Sequence, residues 1–141
     1  MIDLLDVNIW LALVDQRHVH HHVAHDYWSR HGAHQFAFCR TTMQGFLRLA
    51  TNPRAVVKPK TNAEAWAIYR DLLVLPNIRF LVEPASLDAH FQAFTTQAAV
   101  PHRMWTDAYL AAFALSSGSR LVSLDADFAL FPGIQFLHLK S

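Results

Sequence analysis

The sequence predicts an α/β fold, a three-layer α/β/α sandwich around a central, mostly parallel sheet, with residues 1–141 forming one domain. Three observations point there. Short β-rich apolar runs alternate along the chain with longer segments of helical spacing, the pattern of strands joined by crossover helices. The segment 104–117 is almost wholly apolar, so it reads as a helix buried on most sides. The length of 141 residues matches one domain and shows no internal repeat or linker.

Ile2 to Val7 is a short apolar run interrupted by Asp3 and Asp6, of a length that suits a buried strand. Asn8 reads as the N-cap of a helix over Ile9 to Val14. Val19, Val23 and Tyr27, with Ala24 and Trp28 beside them, recur at helical spacing and place a second helix over 19–31. Gln35 to Cys39 is the second strand. Thr41 or Thr42 caps the next helix, which carries Met43, Phe46, Leu47 and Ala50 and ends near Asn52-Pro53. Thr61 followed by Glu64 is a capping box opening a helix to Leu75, which Pro76 closes. Ile78 to Val82 is the third strand. Ser86 to Ala99 is helical, as is Met104 to Ser117 with Gly118 as its C-cap. Arg120 to Leu124 and Ile134 to Leu139 are the last two strands.

Composition excludes several classes. Apolar residues make up 52% of the chain, and Gly and Pro together number ten, which rules out disorder and fibrous or low-complexity types. Cys39 is the single cysteine, so no internal disulfide forms, which accords with a reducing cytosol. No run approaches ~18 uninterrupted apolar residues, and the N-terminus lacks a basic region followed by an apolar one. A soluble cytoplasmic protein without membrane contact is expected.

The net charge of +1 conceals a segregation. Tyr27 to Ala63 holds no acid but contains Arg30, Arg40, Arg48, Arg54, Lys58 and Lys60, half of the 12 bases. The remainder carries all 11 acids. Such a split places a basic surface beside an acidic pocket, the arrangement expected where a polyanion is held near bound cations, although solvated faces also account for it.

Three carboxylates stand where parallel-sheet proteins keep their sites, at the carboxyl ends of strands and the starts of the following helices. Asp6 ends the first strand and Asp125 the fourth. Asp107 lies in the first turn of the apolar helix, where the helix dipole favours it and where it has a capping role as its plainer reading. A carboxylate buried at a strand end requires a cation or a hydrogen-bond cluster. Converging carboxylates with few nearby bases bind a hard cation, Mg²⁺ with Mn²⁺ as substitute, and such ions activate water against a phosphodiester. Asp127 is either a further ligand or the cap of the turn before Phe128.

The stretches Leu4-Leu5-Asp6-Val7-Asn8-Ile9-Trp10-Leu11-Ala12-Leu13, Thr106-Asp107-Ala108-Tyr109-Leu110-Ala111-Ala112-Phe113-Ala114 and Leu121-Val122-Ser123-Leu124-Asp125-Ala126-Asp127-Phe128 resemble, in order and spacing, the acidic motifs of PIN-domain ribonucleases. The resemblance is nearer to the VapC toxins of bacterial toxin–antitoxin pairs, in the branch abundant in mycobacteria, where Gly-Phe-Leu-Arg-Leu-Ala-Thr-Asn-Pro, here Gly45 to Pro53, also recurs. It covers essentially the whole chain. It implies an α/β/α sandwich, Mg²⁺-dependent endonucleolytic cleavage of RNA, a homodimer and inhibition by a cognate antitoxin. By position, Asp6, Asp107 and Asp125 become metal ligands, and Asn8 and Thr106 orient them. One departure stands out: PIN domains usually add a Glu from the helix after the second strand, whereas Thr41 to Leu49 contains no acid and offers only Gln44. One well-held Mg²⁺ is therefore expected in place of a fixed pair.

Two further features bear on function. His18, His20, His21, His22 and His25 cluster, and His18/His22 and His21/His25 have the i, i+4 spacing that clamps a transition metal on a helix, although a solvated, titrating helix is the plainer reading. Arg48 corresponds to a helix facing the RNA groove in the family, and Arg54, Lys58 and Lys60 follow on a Pro-interrupted loop suited to phosphate contacts or to antitoxin docking. The rival functions are a PIN fold without activity that binds RNA or antitoxin, and a His-based Zn²⁺ or Ni²⁺ binder.

Overall fold

The computed structural model describes residues 1–97 and 100–140. Five strands, β1 (Ile2–Leu5), β2 (Gln35–Phe38), β3 (Ile78–Phe80), β4 (Arg120–Ser123) and β5 (Gln135–His138), form one sheet. Their order is β3-β2-β1-β4-β5 and every pairing is parallel. The chain thus winds outward from β1 through β2 to β3, then returns to the other side of β1 as β4. The order reverses between β1 and β4, and in an open parallel sheet the crevice forms at that switch, beyond the carboxyl ends of the strands.

Helices α1 (Val7–Val14), α2 (His21–Arg30), α3 (Arg40–Ala50) and α4 (Asn62–Val74) cover one face, and α5 (Leu87–Gln97) and α6 (Trp105–Ser117) the other. Side chains alternate accordingly: Leu4, Ala37 and Leu121 join the α5/α6 core, while Leu5, Phe36, Phe38 and Val122 join the α1–α4 core. The central strands β1, β2 and β4 therefore bury both faces, while the edge strands β3 and β5 stay partly exposed, which is why the central ones read as short apolar runs. On the first face Trp10 stacks on Phe38 with centroids 3.9 Å apart.

The helix at Thr61 starts with the expected reciprocal box, Glu64 N–H donating to Thr61 Oγ1 and Thr61 N–H to Glu64 Oε1. Gly118 ends α6 at φ 68°, a left-handed conformation that side chains with a Cβ rarely adopt. Other boundaries differ from the expected ones. Asp6, not Asn8, caps α1, because a carboxylate directly at the strand end reaches the first free amide, and the helix begins two residues earlier than Ile9. Cys39 occupies the N-cap of α3, and Thr42 sits inside the helix with its hydroxyl accepting from Cys39 N–H. The second helix starts at His21, so His18 precedes it. A 3₁₀ turn, His102–Met104, precedes α6, which begins at Trp105. The expected helix over Ser86 to Ala99 appears as α5; Ala98 and Ala99 lie outside the described residues. No helix among the described residues is long and apolar enough to cross a membrane.

Candidate active site

Asp6 and Asp125 follow the adjacent central strands β1 and β4, so both lie in the crevice where the strand order reverses. The β1/β4 ladder runs on past β1, with Asp6 N–H donating to Val122 O at 2.9 Å. Asp6 Oδ1 accepts from Val7 N–H at 2.8 Å, which turns the carboxylate over the first turn of α1. Its other oxygen accepts from Ser123 Oγ at 2.7 Å.

Ser123 is the hub of this end of the sheet. Fully buried as the last residue of β4, its hydroxyl donates to Asp6 and accepts from Asn8 Nδ2 at 3.2 Å and from Asp125 N–H at 2.9 Å. Asn8 also accepts from Leu124 N–H through Oδ1. Asn8 therefore belongs to the site as expected, though it acts as a clamp between α1 and the β4 exit and not as a helix cap. Sequence reasoning passed over Ser123, because a serine in an apolar strand signals nothing until its partners across 117 residues are known.

Asp107 enters from the first turn of α6. Its carboxyl is pushed up to about 6, first by partial burial and then by the charges of Asp6, Asp125 and Asp127, with Arg103 pulling the other way. Burial likewise raises Asp6, and Asp125 adds to the rise against the lowering from Ser123 and Val7. The charges of Asp6, Asp125 and Asp127 all act on Asp107 in the same direction, so the four carboxylates share one negative field at this end of the sheet. Asp125 Oδ1 accepts from Asp127 N–H at 2.9 Å, so Asp125 caps the 3₁₀ turn Ala126–Leu130 and holds Asp127 beside it.

The donor set fits a hard divalent cation. It consists of carboxylate oxygens without thiol or imidazole, in a field that a cation relieves. Among the described residues no three His, Cys, Asp or Glu side chains converge as a ready-made cage. Mg²⁺ needs no such cage, since it uses one or two carboxylates directly and keeps several waters.

The remaining expected residues differ in their surroundings. Thr106 and Gln44 are exposed. Gln44 adjoins Gly45, where α3 crosses the start of α1 so closely that a Cβ would stand 2.6 Å from Val7 Cγ2. Arg48 and Arg54 are exposed on and after α3. Lys58 and Lys60 line a groove with Arg17 and the apolar Leu11, Val14, Phe46 and Ile68, at the far ends of α1 and α3 from Asp6. The His18/His22 pair is not on one helix: His18 Nδ1 accepts from His20 N–H ahead of α2, and His21 Nδ1 is tied to Ala12 O at 2.7 Å.

A parallel sheet with aspartates beyond its adjacent central strands is an α/β framework that keeps its site at the switch point. The chain belongs to the PIN-domain family, whose model matches residues 4–134, and its relatives there are VapC ribonucleases. It is 41% identical to Ribonuclease VapC41 of Mycobacterium tuberculosis over 94% of each chain, and 32% identical to Ribonuclease VapC38 of the same organism over 87% of this chain and 84% of the other. Among solved structures it is similar to VapC20 of Mycobacterium tuberculosis, a toxin that cleaves the sarcin-ricin loop, with TM-score 0.70 and 14% identity over 94% of this chain and 97% of that one. The VapBC-1 structure from nontypeable Haemophilus influenzae gives TM-score 0.71 at 14% identity over 98% of both chains.

Proposed function

We propose that the chain is a Mg²⁺-dependent endoribonuclease, the toxin of a toxin–antitoxin pair, which hydrolyses RNA phosphodiester bonds at Asp6, Asp107 and Asp125 in the cytosol and works as a homodimer. The observation that carries this reading is the placement of Asp6 and Asp125 just beyond the adjacent strands β1 and β4, where the strand order reverses, with Asp107 in the first turn of α6. Asp6, Asp125 and Asp127 all raise the Asp107 carboxyl, and a cation at this end of the sheet would offset that shared charge. Asp6, Asp107 and Asp125 would hold Mg²⁺ or Mn²⁺, which would supply water activation and positive charge beside the scissile phosphate.

The chain's own groups do the positioning. Ser123 and the Val7 amide fix both oxygens of Asp6, so that its free lone pairs face the crevice. Asn8 fixes Ser123 in turn. Asp125 is fixed through its backbone by Ser123, and Asp127 is held in the same turn as an additional ligand or an outer anchor for bound water. Arg48 and Arg54, exposed on the acid-free window, contact the RNA backbone.

The cognate antitoxin docks at the groove rimmed by Lys58, Lys60 and Arg17. The apolar floor of Leu11, Val14, Phe46 and Ile68 favours an amphipathic acidic protein segment over a nucleic acid for this surface, since bare phosphates gain nothing from aliphatic contact.

Purified protein incubated with total RNA tests the reading. Cleavage is expected with Mg²⁺ or Mn²⁺, none in EDTA, and none for Asp6→Asn or Asp107→Asn, whose circular dichroism stays that of the parent. RNA retained by the protein without being shortened, under every metal condition, points instead to an inactive RNA-binding module.

A further inference from the structure

Arg103 stands exposed beside Asp127 at the edge of the site, and none of the acidic motifs includes it. It lies in the 3₁₀ turn His102–Met104, one helical turn ahead of Asp107, so the turn that positions the carboxylate also positions the guanidinium. Its Nη1 stands 3.8 Å from Asp127 Oδ2, and its charge acts on Asp107 as well. Other arginines near the sheet are engaged elsewhere: Arg120 is bound to the buried Asp3, and Arg40 lies over the Phe80 ring at 4.6 Å.

The contact with Asp127 is long and single, and both side chains remain well exposed, at 68% and 49%. Such a pair contributes little to stability and exchanges partners readily. A guanidinium presents parallel N–H donors that match a phosphate in two-pronged fashion, a better partner than one carboxylate oxygen at that distance. The substrate of an acidic site is itself an anion, and a fixed positive charge at the rim draws it toward the carboxylates in addition to whatever a bound cation contributes.

We propose that Arg103 binds the RNA phosphodiester at the carboxylate cluster, leaving Asp127 to do so. The inference rests on the ribonuclease reading above and adds a substrate-contacting residue to it. Opposite effects on two ligands follow, because one positive charge attracts the phosphate and opposes the metal ion.

The test uses Arg103→Ala and Arg103→Lys with two probes. A mixed-sequence 2′-O-methyl RNA 12-mer is titrated in EDTA by fluorescence anisotropy at several salt concentrations, and Mn²⁺ alone is titrated calorimetrically. For Arg103→Ala the oligonucleotide binds on the order of tenfold more weakly, the slope of log affinity against log salt falls by about one, and Mn²⁺ binds several-fold more tightly. Arg103→Lys keeps the parent's salt slope and Mn²⁺ affinity but cleaves total RNA more slowly, for want of the two-pronged contact. Oligonucleotide affinity and salt slope unchanged in Arg103→Ala overturn the proposal, as does weaker Mn²⁺ binding, which marks Arg103 as a support of the carboxylates. If the parent takes up Mn²⁺ and cleaves RNA while Arg103→Ala is indistinguishable from it, only the role of Arg103 falls. If the parent does neither, the ribonuclease reading falls with it.

Discussion

Asp3 and Arg120 stand opposite one another in the register of β1 and β4 and are joined by two parallel hydrogen bonds, Arg120 Nε to Asp3 Oδ1 at 3.0 Å and Nη2 to Oδ2 at 2.8 Å. The carboxylate is fully buried, and it also accepts from the Tyr27 hydroxyl and contacts His34 Nδ1 at 3.3 Å. This pair pins the two strands whose opposite ends carry Asp6 and Asp125. A slip of one residue would turn Asp3 toward the apolar α5/α6 face and part Asp6 from Ser123. Asp3→Ala leaves Arg120 without its partner in a largely buried place, and a loss of about 3–5 kcal/mol in urea unfolding is expected.

The same pair sets a pH dependence. Burial pushes the Asp3 carboxyl up, but the hydrogen bonds from Arg120, Tyr27 and His34 and the Arg120 charge outweigh it, so its folded pKa lies below the ordinary value. A carboxyl depressed in the folded state binds its proton more readily when unfolded. Its contribution is full above the ordinary carboxylate range and is lost as pH falls through the depressed folded value. Acid unfolding followed by circular dichroism should show the parent losing stability steeply below about pH 4, with a flatter acid limb in Asp3→Asn.

Asp107 has the opposite sign. With its folded pKa raised to about 6, the ionised group costs stability that is absent below the ordinary carboxylate range and grows as pH rises through 6. Asp107→Asn should therefore raise the metal-free melting temperature by a few degrees at pH 7.5 and change it little at pH 4. It should also lose most of the melting-temperature increase that Mg²⁺ gives the parent. Equal melting temperatures for parent and variant at pH 7.5 would contradict the repulsion.

Ser123→Ala removes the hydroxyl that holds Asp6, Asn8 and the Asp125 amide together. Loss of a group that orients a ligating carboxylate typically costs about 10–100-fold in metal affinity or activity. RNA cleavage by Ser123→Ala is expected to fall in that range. Cleavage at the parent rate would show that the Val7 amide alone suffices to fix Asp6.

Gly45→Ala places a Cβ within 2.6 Å of Val7 Cγ2. Overpacking of this kind costs about 1–3 kcal/mol, and because the Val7 amide holds Asp6, cleavage should fall as well. Shortening the opposing side chain tests the cause: Gly45→Ala combined with Val7→Ala should recover both stability and activity relative to Gly45→Ala alone.

Much of the sheet and the acidic cluster was legible in the sequence. Strands buried on both faces read as short apolar runs, and an aspartate just beyond such a run has few explanations other than a site. Strand order sets β1 beside β4 and so brings Asp6 and Asp125 to adjacent strand ends, and the charges of both reach Asp107 at the start of α6. What escaped depended on long-range partners. Nothing local marks Asp3 as the buried half of an ion pair, Ser123 as a hub, or Arg103 as a neighbour of Asp127. The capping role given to Asn8 failed because Asx residues compete for the same free amides, and Asp6 stands nearer. The basic window proved to be several surfaces: Arg30 pairs with Asp26, Arg40 covers Phe80, and Lys58 and Lys60 rim an apolar groove.

The bond between Ser123 and Asp6 joins residues 117 positions apart, and β1 is flanked on one side by β2 and on the other by β4. During synthesis, Asp6 emerges early, yet its oxygen waits for nearly the entire remaining chain before it is held. A chain stopped anywhere before β4 has one edge of its central strand unpaired and a loose carboxylate in place of a cluster. Order at this end of the sheet is therefore completed only once β4 has been made and has paired with β1.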